Sequence, residues 1–184
     1  MNFYDELFEK TTELSTGTYE SCTFTDCDFS DKKFSTAKFI DCTFERCNLS
    51  NASINATAFQ SVTFSECKLI GLLFEHSSDF GFSVSFSGCI LDNSVFYKKH
   101  LKKTAFINCS LKYVDFTEAQ LHEAVFHGSS LLHAVFDRTQ LEKADFSKAH
   151  HFQINPQNNH LKKAKFSEQG LRGLLSGLDI VIVD

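Results

Sequence analysis

The sequence predicts an all-β solenoid with four sides, and three observations lead to this fold. A large apolar residue returns at every fifth position from Tyr19 to Phe74 and again from Phe86 to Phe146. In the second run, phenylalanine and leucine alternate without exception. The residue two positions before most of these apolar residues is small. A fixed period of this kind is typical of proteins built from stacked repeats.

A period of five residues suits neither regular secondary structure. On an α-helix, a step of five residues turns about 500°, so the apolar residues would spread around the helix. On a flat strand, an odd step alternates between the two faces of the sheet, so half of these residues would meet water. One residue in five points inward each time only if the backbone turns a corner in every repeat. Stacked coils of this kind bury a continuous apolar column.

The alternation of phenylalanine and leucine gives the number of sides. The pattern truly repeats after ten residues, so a coil of four repeats and twenty residues stacks like residues on each other. Phe86, Phe106 and Phe126 then lie on one side, and Phe96 and Phe116 lie on the opposite side. We expect roughly six coils; because stacked strands lie about 4.8 Å apart, the shaft would be about 30 Å long.

The seven cysteines all occupy the small position two residues before an apolar centre, and no histidine shares this register. The pattern indicates small buried thiols in a reducing compartment rather than disulfides or a metal site, and no cofactor is expected. Lys32 and Lys99 occupy the same position as exceptions. Because a lysine is costly to bury, they indicate local distortion of the coil.

The repeats at residues 19–150 are preceded by a different segment and interrupted once. Residues 1–18 are expected to form an N-terminal cap, either a short amphipathic helix or an irregular segment. Residues 75–85 hold two extra residues, because Phe74 and Phe86 are twelve residues apart instead of ten. We expect a bulge there, in which Gly81 can take a positive φ. The insertion is either a binding element or a tolerated slip of the register.

Residues 151–184 are predicted to form a loop, a helix and a short terminal strand. Ser167 is suited to cap the helix. These elements can cover the last coil, or two copies can meet through them as a homodimer with twofold symmetry. The apolar residues expected at the dimer interface are Leu171, Leu174, Leu175, Leu178, Ile180 and Ile182.

The chain has 184 residues and a net charge of −5 that is unevenly distributed. Residues 1–97 carry 14 acidic and 6 basic residues, whereas residues 98–184 carry 9 acidic and 12 basic residues. Neither a membrane-spanning stretch nor a secretory signal is evident, so a cytoplasmic protein is expected. The sequence contains no catalytic motif, and a convex rod offers no cleft, so we expect a protein that is not an enzyme.

The repeat segments "CTFTDCDFSDKKF" and "AVFDRTQLEKADFSKA" resemble the pentapeptide repeat family. The resemblance covers residues 19–150. It implies a right-handed quadrilateral β-helix, with a C-terminal helix and a short terminal strand added here. The repeat itself is a scaffold, so the resemblance says less about function than about fold.

Three features are similar to the topoisomerase-protecting branch of this family, which includes the Qnr quinolone-resistance proteins, MfpA and the microcin B17 immunity protein McbG. The first is the size of the single rod. The second is the placement of the break, "CKLIGLLFEHSSDFGFSVSFSGC". The third is the ending, "INPQNNHLKKAKF", which precedes a leucine-rich helix. The second long loop of Qnr proteins has no counterpart in this chain.

The resemblance implies a rod that imitates DNA, binds DNA gyrase or topoisomerase IV, and protects the enzyme from fluoroquinolone- or microcin-type poisons. The acidic positions that would carry this role are Asp26, Asp28, Asp31, Asp41, Glu45, Glu66 and Glu75. The bulge that would contact the enzyme comprises Ser77, Ser78, Asp79, Phe80 and Gly81.

Two other functions are compatible with the sequence. The first is a cytoplasmic interaction scaffold for a different protein. The second is direct nucleic-acid binding through Lys98–Lys103, which is not expected because exposed aromatic residues are not interleaved with these lysines. A continuous acidic stripe along one face would favour the DNA mimic, whereas a basic stripe spanning Lys98–Lys103 and Lys162–Lys165 would favour nucleic-acid binding.

Overall fold

The chain winds into a quadrilateral β-helix, as the five-residue period predicts. The computed structural model describes residues 1–178 and 180–181. In this part of the chain the strands are short, because each coil turns a corner after every repeat. They are β1 (Asn2–Tyr4), β2 (Leu7–Glu9), β3 (Thr18–Glu20), β4 (Thr23–Thr25), β5 (Lys38–Ile40), β6 (Thr43–Glu45), β7 (Ala58–Gln60), β8 (Val62–Ser65), β9 (Val84–Ser87) and β10 (Phe106–Ile107).

The four sides of the helix are held by parallel pairing between successive coils. Strands β1, β3, β5 and β7 form a four-stranded sheet, here called side 1. Strands β2, β4, β6, β8, β9 and β10 form a six-stranded sheet, side 2. Side 3 is held by single bridges such as Asn48 with Lys68, and side 4 by bridges such as Val95 with Asp115. Beyond β7, side 1 continues through single bridges as far as His160.

The core of side 2 is an unbroken stack of phenylalanine rings. Neighbouring ring centroids lie between 4.5 and 5.5 Å apart. The stack confirms the prediction that a coil of four repeats places like residues on each other, and it extends past both predicted ends of the repeat region. The stacked rings belong to Phe8, Phe24, Phe44, Phe64, Phe86, Phe106, Phe126, Phe146 and Phe166.

The corners are turned by residues in the left-handed backbone region. Asp26 has a φ of 54° and Asn51 a φ of 56°, and the same conformation recurs at nearly every fifth residue. Aspartate and asparagine tolerate a positive φ better than most residues. The corner conformation therefore explains many of the aspartate, asparagine and glycine residues that follow an apolar centre by two positions.

The small inward position is a hydrogen-bonding position as well. All seven cysteines are buried and free. The Cys67 thiol donates to the backbone carbonyl of Phe44 at 3.3 Å, and the Ser129 hydroxyl makes the equivalent bond to the carbonyl of Phe106 at 2.9 Å. Burial raises the pKa of Cys42 to about 11, so this thiol stays protonated at neutral pH. These cysteines are structural.

The N-terminus differs from the prediction, because residues 1–18 continue the β-helix instead of forming a separate cap or a helix. Strand β1 pairs with β3, and β2 pairs with β4. Phe3 stacks on Tyr19 and Phe8 stacks on Phe24, with centroid distances of 4.6 and 4.8 Å. Phe3 and Phe8 are five residues apart, and this spacing is the sequence signal that indicates the additional coil. The first coil is shorter than the others, so this pair falls outside the twenty-residue register.

The coil also continues past residue 150, where the prediction placed a loop. Phe166 stacks on Phe146 with a centroid distance of 5.3 Å. By counting, His151 and Pro156 would fall on apolar centres. Phe152 and Ile154 are buried in the core instead.

A short helical segment follows the last coil. Ser167 accepts a hydrogen bond from the backbone N–H of Gly170 at 3.1 Å, as expected of a capping residue. A 3-10 turn over Gln169–Leu171 leads into helix α1, Arg172–Leu175. The predicted terminal strand is not present at residues 180 and 181, and Ile182 lies outside the described residues.

Candidate functional site

The predicted acidic residues surround the first half of the rod without forming one stripe. Asp26 and Glu66 turn the corner between sides 2 and 3, with Arg46 between them. Asp31 turns the corner between sides 3 and 4, and Asp41 turns the corner between sides 1 and 2. The structure therefore places these carboxylates on three different corners, and a continuous acidic stripe is not formed.

The remaining acidic positions lie on the sides of the coils. Glu45 projects from β6 on side 2, and Glu75 lies in a 3-10 turn over Phe74–His76. Asp28 pairs with Asn48 in the bridges of side 3. Hydrogen bonds from Ser30, the shortest of them 2.7 Å from the hydroxyl, lower the pKa of Asp28.

One of the acidic corners is partly neutralised. The Arg46 guanidinium donates from Nε to Asp26 Oδ1 at 2.8 Å, and this hydrogen bond lowers the pKa of Asp26. A second nitrogen of Arg46 lies 3.6 Å from Glu45 Oε2. Both groups of the Arg46–Asp26 pair are solvent-exposed, and exposed pairs of this kind contribute little to stability. The acidic field of the first half is therefore reduced locally but not cancelled.

The bulge lies on side 1, between the 3-10 turn at Phe74–His76 and strand β9. Phe80 is 82 % exposed, although every phenylalanine of the side 2 column from Phe24 onward is buried or packed on the core. Gly81 has a φ of +67°, and an added Cβ would lie 3.1 Å from Gln60. Glycine thus allows the backbone to turn where Phe80 leaves the coil.

The predicted contact residues of the bulge do not share one environment. Asp79 and Phe80 face the solvent, and Ser78 is half-buried. Ser77 is buried, and its hydroxyl donates to the carbonyl of Phe74 at 2.6 Å. The side chain of Ser77 therefore anchors the bulge, and its contact with a partner stays a prediction.

The second half of side 1 carries a basic surface that the sequence analysis only partly anticipated. Its exposed lysines come from the coils that begin near Leu101 and end near Leu161, and they form no ion pair with any described residue. Glu123 and Glu142, both half-buried, lie among them in a shallow groove of about 320 Å³. We call this surface the cationic side; its lysines are Lys102, Lys103, Lys143, Lys162 and Lys163.

The C-terminal apolar residues divide into two groups. Leu174 is partly buried and packs against the core, so it helps to cover the last coil. Leu171, Leu175, Leu178 and Ile180 are each between 37 % and 53 % exposed. These four residues form the exposed part of the predicted dimer interface, and we call them the terminal apolar surface.

Across residues 1–178 and 180–181, no cluster of three or more histidine, cysteine, aspartate or glutamate side chains has the arrangement of a metal site. In the same residues, no helix has the length and hydrophobicity needed to cross a bilayer.

Comparison with known proteins agrees with the geometry of the coil. A family model described as "Pentapeptide repeat region" matches residues 18–78 and 81–146, which is more than half of the chain. The gap between the two matches falls inside the bulge. No protein of curated function matches the sequence.

Several solved structures share the fold. A trypsin-treated variant of QnrB1, a plasmid-mediated fluoroquinolone resistance protein, has a TM-score of 0.66 at 17 % identity, and the match covers 100 % of this chain and 98 % of that one. A second trypsin-treated variant of the same protein has a TM-score of 0.60 at 18 % identity. HetL, involved in the regulation of heterocyst differentiation in the cyanobacterium Nostoc, has a TM-score of 0.55 at 14 % identity and covers 91 % of this chain. The first match covers 98 % of the trypsin-treated QnrB1 chain, so the likeness in fold extends over nearly all of that chain.

Proposed function

The chain belongs to the pentapeptide repeat family, and from that premise we propose that it is a non-catalytic mimic of DNA that binds DNA gyrase or topoisomerase IV. In this role it protects the enzyme from a fluoroquinolone- or microcin-type poison in the cytoplasm. The observation that carries the proposal is the acidic surplus in the first half of an unbroken rod, with exposed carboxylates on three of its corners.

These carboxylates are distributed around the rod, as phosphates are around a DNA duplex, and are not gathered on one flat surface. DNA carries about one negative charge per 1.7 Å of its axis, and its phosphates wind around the helix. Asp26, Asp31 and Asp41 likewise lie on three of the four corners of the rod. The continuous acidic stripe that would favour a DNA mimic is not formed, so the support comes from carboxylates on three corners, several of which a DNA-binding saddle of basic residues can contact at once.

The fold comparison supports the same partner. QnrB1 is described as a fluoroquinolone resistance protein, and its fold is matched over nearly its whole length. HetL, which shares the fold, is associated with a different process. An interaction scaffold for another protein is therefore the alternative that a failed topoisomerase experiment would favour.

We also propose that the terminal apolar surface forms a homodimer. Exposed leucines at the end of a rod are costly to leave in water, and each buried apolar Å² contributes roughly 25 cal/mol. Leu175 and Leu178 face outward from the helical segment at the end of the rod, so a second copy can meet them about a twofold axis. Such a dimer would place two acidic halves at the outer ends and the basic halves at the centre.

The proposal is tested by supercoiling with purified gyrase, with and without a fluoroquinolone and, in parallel, with microcin B17. We expect the protein to restore supercoiling in the presence of at least one poison. A triple variant, Asp26→Asn, Asp31→Asn and Asp41→Asn, should lose most of this rescue.

The matched control neutralises three acids of the second half, by Glu123→Gln, Glu142→Gln and Glu168→Gln, and should keep the rescue. Absence of rescue and of inhibition over a wide concentration range would reject the topoisomerase proposal in favour of a scaffold. Equal loss in both triple variants would show that net charge, and not the acidic first half, is responsible.

A further inference from the structure

We propose that Lys99 is a positioning residue, which fixes the bulge at residues 77–81 in the shape that presents Phe80 to a partner. The identity of that partner rests on the proposed function, whereas the geometry of Lys99 does not. Lys99 lies two positions before the centre Leu101, where most coils have a small residue such as Ala119.

The bulge has no apolar residue at either position where the five-residue period places a centre. Counting five residues forward from Phe74 gives Asp79, and counting five back from Phe86 gives Gly81. Neither can fill the inward column of side 1. Phe80 lies between them but is 82 % exposed, so it does not fill the column either. The apolar side chain that packs against the core here is Phe82, which is only partly buried and lies edge-on to Phe74 with a centroid distance of 6.3 Å, so the two extra residues move the inward side chain away from both counted positions.

Lys99 enters this part of the molecule from the next coil. Its side chain is only 1 % exposed. The Nζ atom donates to the carbonyl of Ser77 at 2.8 Å and to Asp79 Oδ1 at 2.7 Å, and it lies 4.5 Å from the centroid of the Phe82 ring. All three partners belong to the inserted segment or flank it directly. The bulge is therefore organised around one buried ammonium group.

A buried ammonium group makes the shape of the bulge specific. Burial of a charge is strongly unfavourable unless the charge is paired and hydrogen-bonded. Lys99 has its partners only while Ser77, Asp79 and Phe82 keep their present arrangement. A different closed shape would leave the buried charge without these contacts, so the hydrogen bonds from Lys99 to Ser77 and Asp79 favour this shape over other shapes that keep Lys99 buried.

The coil on the other side of the bulge fixes different atoms. The backbone N–H of Ser78 donates to the carbonyl of Thr57 at 2.9 Å, and Gln60 Nε2 donates to the carbonyl of Phe80 at 3.2 Å. These bonds do not involve the side chain of Asp79. The backbone carbonyl of Asp79 accepts a turn hydrogen bond from the N–H of Phe82 at 3.3 Å, and Lys99 supplies the restraint on the Asp79 side chain.

The test compares Lys99→Met and Asp79→Asn with the control Lys103→Met. Methionine keeps an unbranched apolar side chain but cannot donate a hydrogen bond. Lys103 is exposed and lies in the same coil, so its replacement removes a charge without touching the bulge. The readouts are chymotrypsin cleavage after Phe80 under native conditions and amide hydrogen exchange across residues 78–83.

We expect cleavage after Phe80 to be about tenfold faster, or more, in Lys99→Met and Asp79→Asn than in the wild type or Lys103→Met, because charged hydrogen bonds that close the bulge are lost. The guanidinium midpoint of Lys99→Met should stay near the wild-type value or rise, since apolar replacement of a buried charge is often neutral or stabilising. Local opening without global loss distinguishes positioning from general support of the fold. Unchanged cleavage and exchange in Lys99→Met would overturn the proposal.

The topoisomerase arm uses the same variants in the supercoiling assay with a fluoroquinolone. Rescue should fall in Lys99→Met and Asp79→Asn and persist in Lys103→Met. If the wild type gives no rescue, the proposed function fails, but cleavage after Phe80 still decides the role of Lys99. If Lys99→Met opens the bulge and rescues as well as the wild type, the claim that this shape presents Phe80 to the topoisomerase is overturned.

Discussion

Single phenylalanine residues carry much of the packing of this rod. Phe116 is fully buried on side 4, and its ring stacks between Phe96 and Phe136 at centroid distances of 5.4 and 5.2 Å. It also meets Phe106 and Phe126 edge-on, with centroid distances of 5.7 and 6.0 Å. A coil that is paired above and below cannot collapse easily into a cavity. Removal of one ring should therefore cost the full free energy of the cavity that it leaves.

We therefore expect Phe116→Ala to lower the free energy of unfolding by about 3–5 kcal/mol in chemical denaturation. Phe80→Ala is the matched control, because the same side chain is 82 % exposed there. It should change stability by about 0.5 kcal/mol or less. A loss below about 1 kcal/mol for Phe116→Ala would contradict the register of the column.

Two lysines at the same position of the repeat have different environments in the structure. Lys32 and Lys99 both stand at the small inward position, and both were expected to distort the coil. Lys32 is partly exposed and binds Glu13 Oε1 at 3.1 Å, whereas Lys99 is buried beneath the bulge. The difference depends on where the chain around residues 13 and 79 runs, which the local pattern does not contain.

The aspartates at the corners also have more than one possible explanation. Asp26, Asp31 and Asp41 have φ values between 51° and 57°, so the backbone alone gives a reason for aspartate there. The four-sided register predicted from the sequence already assigns these aspartates to three different corners. The structure adds that each one has the left-handed backbone conformation and is exposed there.

At the scale of the coil, side-chain contacts connect neighbouring layers near the C-terminus. Asp145 on side 2 accepts hydrogen bonds from Ser147, lies 3.3 Å from His127 Nε2, and lies 3.5 Å from Lys165 Nζ. Partial burial opposes ionisation of this carboxyl, but the hydrogen bonds from Ser147 and the nearby His127 ring outweigh it and lower its pKa to about 2. Asp145 thus joins three successive coils.

This depressed pKa predicts a stabilising contribution that depends on pH. A carboxyl with a lower pKa in the folded state stabilises the fold above its unfolded pKa, about 3.9, and the contribution is lost as pH falls toward about 2. The stabilities of wild type and Asp145→Asn should therefore differ by the full amount at pH 5 and above, and converge as pH falls toward 2. Asp41→Asn, an exposed corner without an ion pair to any described residue, is the control. A difference for Asp145→Asn that stays constant down to pH 2 would contradict this account.

The helical segment at the C-terminus provides a prediction about assembly. Leu175 is 37 % exposed on the terminal apolar surface, and Leu132 is 37 % exposed on the shaft. We expect Leu175→Glu to convert a dimer into a monomer in sedimentation velocity, because a buried carboxylate at a twofold interface is present twice. Leu132→Glu should remain dimeric. A wild-type monomer, or a dimer that survives Leu175→Glu, would reject this interface.

The coils could be predicted from the sequence where the five-residue period is intact, but not where this period changes. The twenty-residue spacing gave the stacking of sides 2 and 4 correctly. The first coil was missed because its strands β1 and β2 stand sixteen residues, not twenty, before their partners β3 and β4. The coil after residue 150 was missed because Phe152 and Ile154 fill the core one to two residues away from the expected centres.

On the scale of the whole molecule, the two halves of the rod have opposite charge. The first half carries exposed carboxylates around its corners, and the second half carries the cationic side next to the bulge. Lys102 and Lys162, which are sixty residues apart in sequence, share side 1 because three coils of twenty residues separate them. The basic stripe that the sequence analysis named as a sign of nucleic-acid binding is thus partly present, so binding to DNA must be measured separately from imitation of DNA.

The central claim is tested most directly by competition for the DNA-binding surface of gyrase. A fluorescent duplex bound to gyrase is titrated with the protein, and fluorescence anisotropy reports the bound fraction. We predict complete displacement of the duplex at saturating protein, weakened by raised salt and by the Asp26→Asn, Asp31→Asn and Asp41→Asn variant. Binding to gyrase that leaves the duplex in place, or an increase in anisotropy of the free duplex with the protein alone, would contradict the account.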